Sequence, residues 1–240
     1  MSYFEGFVLA VPTAHRETYR QHAADAAPLF QEFGVRRMVE TWGDDVPAGK
    51  HTDFIRAVQA TPEETIAFSW FEYPSRAARD AANERIMSDP RMSDMGATMP
   101  FDGKRMIMGG FASMLDEGPG GPMGYVDGFL VAVPTAQREN YLAFAKFADA
   151  IMIELGANRV VEAWADDVPD GKLTDFRRAV QAQPDESVVF SWAEWSSRSV
   201  RDKAIKAMMA DERLRTAQMP FDGKRLVYGG FVPILEVSHD

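Results

Sequence analysis

Apolar positions along the first half of the chain switch between two periods. Tyr3–Val11 is a mostly apolar run closed by Pro12, and it reads as a strand. Tyr19, Ala23, Ala26, Phe30 and Phe33 then recur at helical spacing, with Thr13 as the expected N-cap and Gly34 as the stop. Pro28 falls inside this helix and predicts a kink or break there. Strand patterns return at Arg36–Trp42 and Thr65–Tyr73, and a polar loop from Asp44 to Asp53 follows the first of them. Ser75 opens a second helix ending near Met87, and Lys104–Leu115 reads as a fourth strand.

The whole pattern then occurs a second time. An offset of 122 pairs Tyr3–Ser93 with Tyr125–Arg215, and after a two-residue deletion Met99–Arg105 recurs as Met219–Arg225. The helical stripe of the second copy is Tyr141, Ala145, Ala148, Met152 and Leu155, with Gly156 as its stop. The expected organisation is a first repeat at 1–115, a Gly/Pro-rich linker at 116–124 and a second repeat at 125–240. Each repeat reads βαββαβ, the ferredoxin-like α+β arrangement, whose helices cover one sheet face and leave the other bare. Packing the two bare faces together gives a pseudo-dimeric α/β barrel with internal two-fold symmetry. In the alternative arrangement each repeat pairs with another chain.

Composition narrows the function classes. An apolar fraction of 46% with 26% charged residues is that of a globular protein. The net charge of −10 opposes phosphate backbones, and no basic patch offsets it, so a nucleic-acid partner is not expected. No apolar run approaches membrane-spanning length, so no membrane partner is expected either. Met1–Ser2 leads directly into a strand pattern and there is no cysteine, which together predict a cytoplasmic location without disulfides, thiolate sites or a Cys nucleophile. His15, His22 and His51 face Gln137, Phe144 and Leu173, and His239 has no counterpart, so a His-based triad or zinc site common to both repeats is excluded. Asp44, Asp45 and Asp53 lack calcium-loop spacing, and Gly43–Lys50 lacks phosphate-loop spacing. No cofactor or metal is therefore expected.

Two constellations carry candidate chemistry. The first helix has drifted between repeats, whereas the mostly polar stretch Asp44–Ala60 has barely changed, although exposed loops normally drift faster. Asp45, Lys50 and Arg56, with Asp167, Lys172 and Arg178, are accordingly candidate ligand-binding residues. The purely structural account has the loop held by its own Asp–Lys and Asp–Arg pairs, over Val46 and Phe54. The second constellation follows the strands. Phe68, Trp70 and Glu72 share one face of the third strand, and Glu40 and Trp42 share one face of the second. Phe190, Trp192, Glu194, Glu162 and Trp164 match them in the second repeat. If these faces line the barrel, Trp42, Trp70, Trp164 and Trp192 form ligand-binding walls. Desolvation would then make Glu40, Glu72, Glu162 or Glu194 a candidate base. Arg37 and Arg159 alternate away from Glu40 and Glu162, and the structural account pairs the glutamates with Arg56 and Arg105 at the rim.

The strings GFVLAVPT, DDVPxGKxTDFxRAVQA, FSWxE, SRxxRD and MPFDGKR followed by GGF resemble the uncharacterised bacterial YbaA-like family, domain of unknown function 1428. The resemblance spans both repeats and implies a dimeric α/β-barrel fold, but it brings no established activity, substrate or catalytic residue. The tandem fusion departs from the usual single-domain form. Three functions are consistent with these features. The first is a small-molecule-binding barrel with two pseudo-equivalent sites. The second is a cofactor-independent enzyme of monooxygenase or isomerase type using a buried Glu, by analogy of fold. The third is an assembly module, a homo-oligomer of the pseudo-dimer, that presents Asp44–Asp53 and Asp166–Asp175 as exposed contact surfaces.

Overall fold

The computed structural model describes residues 2–238; His239 lies outside them. The first repeat supplies β1 (Tyr3–Pro12), α1 (Arg16–Phe33), β2 (Arg37–Asp45), α2 (Phe54–Ala57), β3 (Glu64–Tyr73), α3 (Arg76–Ser88), α4 (Pro90–Ala97) and β4 (Ile107–Glu117). The second supplies β5 (Tyr125–Pro134), α5 (Arg138–Glu154), β6 (Ala157–Asp167), α6 (Phe176–Ala179), β7 (Glu186–Trp195), α7 (Arg198–Ala210), α8 (Glu212–Thr216) and β8 (Val227–Ser238). The eight strands close into one barrel in the order β1-β3-β2-β8-β5-β7-β6-β4. Each repeat keeps the antiparallel 4-1-3-2 order of a ferredoxin-like sheet, and the seams β2–β8 and β4–β6 join the repeats edge to edge. The barrel thus closes within a single chain, and closure leaves no free strand edge.

Local signals set most boundaries. Gly34 ends α1 in the left-handed conformation (φ 110°), its N–H bonded to the Phe30 and Gln31 carbonyls. Ser75 caps α3 by accepting from the Ala78 N–H at 3.2 Å. Thr13 does not cap α1, because a short 3-10 turn intervenes and its hydroxyl bonds Thr65 Oγ1 at 2.8 Å instead. Pro28 does not break α1, which runs through it as one helix. In the second repeat Leu155 is the C-cap of α5, and Gly156 follows it in the left-handed conformation (φ 108°). Strand β2 extends three residues beyond the expected Trp42, and strand pairing with β8 carries it that far. Likewise β4 begins at Ile107 rather than Lys104, since Lys104 and Arg105 belong to the turn set by Asp102.

The barrel interior is solid. Phe68 and Phe190 stack across the pseudo-two-fold axis with centroids 4.6 Å apart and planes 3° from parallel. Trp70 and Trp192 lie 4.6 Å apart beside them, and all four rings have no exposed surface. Glycine makes this approach fit. A Cβ on Gly6 would sit 2.7 Å from the Phe190 ring, and one on Gly128 would sit 2.9 Å from Phe68. Phe54 of α2 and Phe176 of α6 pack on the interior from one end.

Reciprocal ion pairs clasp the outside of the barrel. Asp44 and Asp45 reach Arg198 (2.7 Å) and Arg201 (2.8 Å) in the other repeat, while Asp166 and Asp167 reach Arg76 (2.8 Å) and Arg79 (2.6 Å). Arg201 also holds Asp127 at 2.7 Å, and both are buried. Replacing Arg201 by Ala strands that buried carboxylate, so equilibrium urea unfolding should show a loss of about 3–5 kcal/mol. A loss under about 1 kcal/mol would mean that water replaces the guanidinium without cost. Gly128→Ala should cost about 1–3 kcal/mol through overpacking against Phe68, measured in the same way.

Candidate functional site

Register decides which side chains share a space. Trp70 pairs with Gly6 on one side and Val39 on the other, and Glu72 pairs with Arg37. The interior face therefore carries the even-numbered residues of β3 but the odd-numbered residues of β2. Phe68, Trp70 and Glu72 point inward, while Glu40 and Trp42 point outward beneath α1. The expectation that both sets line one cavity is thus corrected, and the same division separates Trp192 and Glu194 from Glu162 and Trp164.

The inward glutamates are fully engaged. Arg37 donates to Glu72 (2.9 Å) and Glu194 (2.7 Å), and Arg159 donates to the same two carboxylates at 2.7 and 3.3 Å. Trp70 and Trp192 add their indole N–H groups at 3.1 Å. Burial alone would raise the Glu72 pKa, but the Arg159 hydrogen bonds and charge, with Arg37, hold it below the usual carboxylate range. This cross-braced quartet closes one end of the barrel, and every carboxylate oxygen of Glu72 and Glu194 accepts from a guanidinium or an indole. Arg37 and Arg159, set aside on alternation, are the partners. Arg105 instead binds Glu64 and Asp102, and Arg56 binds Asp53.

The little-changed loop also has a structural explanation in part. Asp53 and Asp175 are buried N-caps, accepting from the Arg56 and Arg178 N–H groups at 2.7 Å. Asp45 and Asp167 form the clasps described above, so the loops are not the uniformly exposed surfaces expected of a contact patch. Lys50 and Lys172 are exposed and make no ion pair among the described residues, contrary to the expected Asp–Lys pairs. A groove of about 480 Å³ runs past Lys50 and His51 to Lys224 and Tyr228. Its cationic side chains, Lys50 and Lys224, are exposed, Asp53 in its wall is the buried N-cap, and Leu173 replaces His51 in the other repeat.

The outward glutamates lie in a different setting. Glu162 is buried between α5 and the sheet, accepting from the Tyr141 hydroxyl at 2.7 Å and the Ser191 hydroxyl at 2.8 Å. Glu40 is held in the same way by Tyr19 and Ser69. Neither glutamate has a cationic partner among the described residues. Trp42 and Trp164 pack beside the tyrosines, with Arg16 and Arg138 over their rings. In the second repeat a crevice of about 220 Å³ opens over this triad, lined by Phe129, Val131, Phe144, Met152 and Phe221. Asp149 of α5 also lines it, 2% exposed, with Oδ2 buried and without a hydrogen-bond partner among the described residues. Burial, then the charges of Glu162 and Glu117, push Asp149 well above the usual carboxylate range. Burial raises Glu162 too, against the hydrogen bonds of Tyr141 and Ser191. The equivalent of Asp149 in the first repeat is Ala27, equally buried.

The sequence pattern places Tyr141 on the helical stripe but does not mark Asp149 or Ser191 as site residues. One signal was there: Asp149 lies four residues after Ala145 and three before Met152, so it puts a carboxyl on the apolar stripe of the helix.

A closed α/β barrel made from one fused pair of ferredoxin-like units, with a polar triad between helix and sheet in each half, defines the class of this molecule. The chain belongs to the family described as "Protein of unknown function (DUF1428)", whose model matches residues 2–103 and again 124–223. The uncharacterised protein YbaA of Escherichia coli K12 is 60% identical over 117 residues, which are 49% of this chain and the whole of that protein. Among solved structures, a proposed monooxygenase from Fusobacterium nucleatum superposes with TM-score 0.62 at 10% identity, covering 99% of this chain and 94% of its own. A proposed monooxygenase from Lactobacillus acidophilus gives 0.59 at 12%, covering 99% and 96%. At such identity these two show the dimeric α/β-barrel fold alone. No described helix is long and apolar enough to cross a membrane.

Glu40 makes the triad testable by pH. Burial pushes its pKa up to about 7, against the hydrogen bonds from Ser69 and Tyr19. In the unfolded chain it ionises near 4.5. The fold therefore holds its full share of stability below that value and loses it as pH rises to about 7. Relative to Glu40→Gln, the wild type should lose about 3 kcal/mol between the two limits. Urea unfolding of both proteins across this window measures the difference, and a constant gap would mean that Glu40 ionises normally.

Proposed function

We propose that the chain binds a small neutral molecule, apolar in body with one polar group, in the crevice between α5 and the sheet of the second repeat. The observation that carries this reading is Asp149: it lines an apolar crevice, and its buried Oδ2 has no hydrogen-bond partner among the described residues. Leaving such a group unpaired costs roughly 1–3 kcal/mol, and a ligand hydroxyl or carbonyl would offset that cost. Phe144 and Phe221 offer ring faces to the apolar body, and the negative charge of Glu162 and Glu117 near Asp149 disfavours an anion. This is the small-molecule-binding reading, moved from the barrel interior to its outer layer and from two equivalent sites to one.

The test is fluorescence titration with 2-naphthol, a neutral aromatic alcohol of suitable size. Wild type should bind it saturably, and Ala148→Trp, which fills the crevice, should weaken binding at least about tenfold while the far-UV spectrum stays unchanged. Equal binding by the two proteins would put the ligand elsewhere.

A further inference from the structure

We infer that Asp149 and Glu162 form an acid/base pair that moves a proton between carbon and oxygen of a neutral ketone held in this crevice. The inference rests on the binding reading above and goes beyond it to an activity and a substrate class.

The two carboxyls line the same crevice and burial raises both, but among the described residues only Glu162 has hydrogen-bond donors to oppose it. Glu162 receives two hydroxyl donors, from Tyr141 and Ser191, and these favour its ionised form. Among the described residues Asp149 receives no donor at its buried Oδ2, and the charges of Glu162 on β6 and Glu117 on β4 oppose its ionisation. Tyr141, on its own helix, keeps its proton because burial and Glu162 both oppose ionisation. The pair therefore carries its proton on Asp149. A pair of titratable groups driven apart by their environments assigns its own roles: a neutral acid able to donate to oxygen, and a carboxylate able to accept from carbon.

The step balances without any other reactant. The Glu162 carboxylate takes a proton from the carbon beside the carbonyl, and the C–H electron pair becomes a C=C bond. The carbonyl π pair moves to oxygen, which takes the Asp149 proton. The products are an enol, protonated Glu162 and ionised Asp149. Return of the proton from Glu162 to the same carbon reverses the reaction. Return to a conjugated carbon gives an isomer, and Asp149 recovers its proton from oxygen in either case. Tyr141 and Ser191 are positioning residues that fix the face of Glu162. The first repeat has the Tyr19–Glu40–Ser69 triad but Ala27 in place of the acid, so it lacks the oxygen-side donor.

The probe is 2-tetralone in deuterated water, with loss of the C1 proton signal followed by NMR and binding followed by displacement of 2-naphthol. Wild type should exchange the C1 protons about a hundredfold faster than buffer. The rate should fall at acid pH as Glu162 takes a proton and at alkaline pH as Asp149 loses its own. Glu162→Gln should return exchange to the buffer rate while displacement stays within about threefold. Asp149→Asn should lower the rate and abolish the alkaline limb. If Glu162→Gln fails to fold, Ala148→Trp supplies the control, since exchange must then fall to the buffer rate. Displacement by 2-tetralone with exchange at the buffer rate would overturn the acid/base pair and leave the binding reading standing. Absence of 2-naphthol binding to wild type would overturn both.

Discussion

The stack of Phe68 on Phe190 across the pseudo-two-fold axis is the contact on which the rest of the molecule depends. It requires the two sheets to approach until a glycine of one repeat touches the aromatic ring of the other, at Gly6 and at Gly128. At that distance the interior has no room for a ligand, and the tryptophans that suggested a binding wall are instead the packing beside the stack. Every chemical group with freedom to act must therefore lie at the ends of the barrel or on its outer, helix-covered layer. The ends are closed by the Arg37–Arg159–Glu72–Glu194 quartet and by the Phe54 and Phe176 caps, which leaves the helix–sheet layer.

The same constraint explains the sequence's most conspicuous regularity. The loops that barely differ between repeats are those that each repeat extends over the other. Asp45 needs Arg201, and Asp167 needs Arg79, so a change in either motif disturbs a contact in both halves of the fold. The first helices contact mainly their own repeat, and their divergence is then unsurprising. Strict retention of a polar loop is usually attributed to a ligand, but a reciprocal interface produces the same pattern.

The repeat, the order of elements and the barrel were legible because hydrophobic period and turn residues are local signals. The relation between neighbouring strands was not. Alternation along β2 places Glu40 with Trp42 correctly, and alternation along β3 places Trp70 with Glu72 correctly. Neither pattern says whether the two sets fall on the same side, because shifting the pairing by one residue exchanges the faces. The register Arg37–Glu72 settles it, and with it the identity of the arginines that neutralise the inner glutamates. Asp149 was missed for a related reason. A carboxyl on an apolar stripe looks like an exposed edge position until the neighbouring sheet is known to cover it.

Fusion matters for what Asp149 can be. In a symmetric dimer of identical chains, any substitution on the helix appears in both halves, and its cost in stability is doubled. A buried carboxyl without a partner costs roughly 1–3 kcal/mol, a sizeable share of the 5–15 kcal/mol that separates folded from unfolded domains. In one continuous chain the cost falls once. The second repeat can carry the acid while the first keeps Ala27 and contributes its packing. Glu40 and Glu162 remain alike, since the triad that holds them satisfies its own hydrogen bonds and fits either repeat. The fused barrel can thus keep a symmetric frame, fixed by the aromatic stack and the clasps, around a crevice in which the second repeat carries Asp149, Phe144 and Met152 where the first has Ala27, His22 and Phe30.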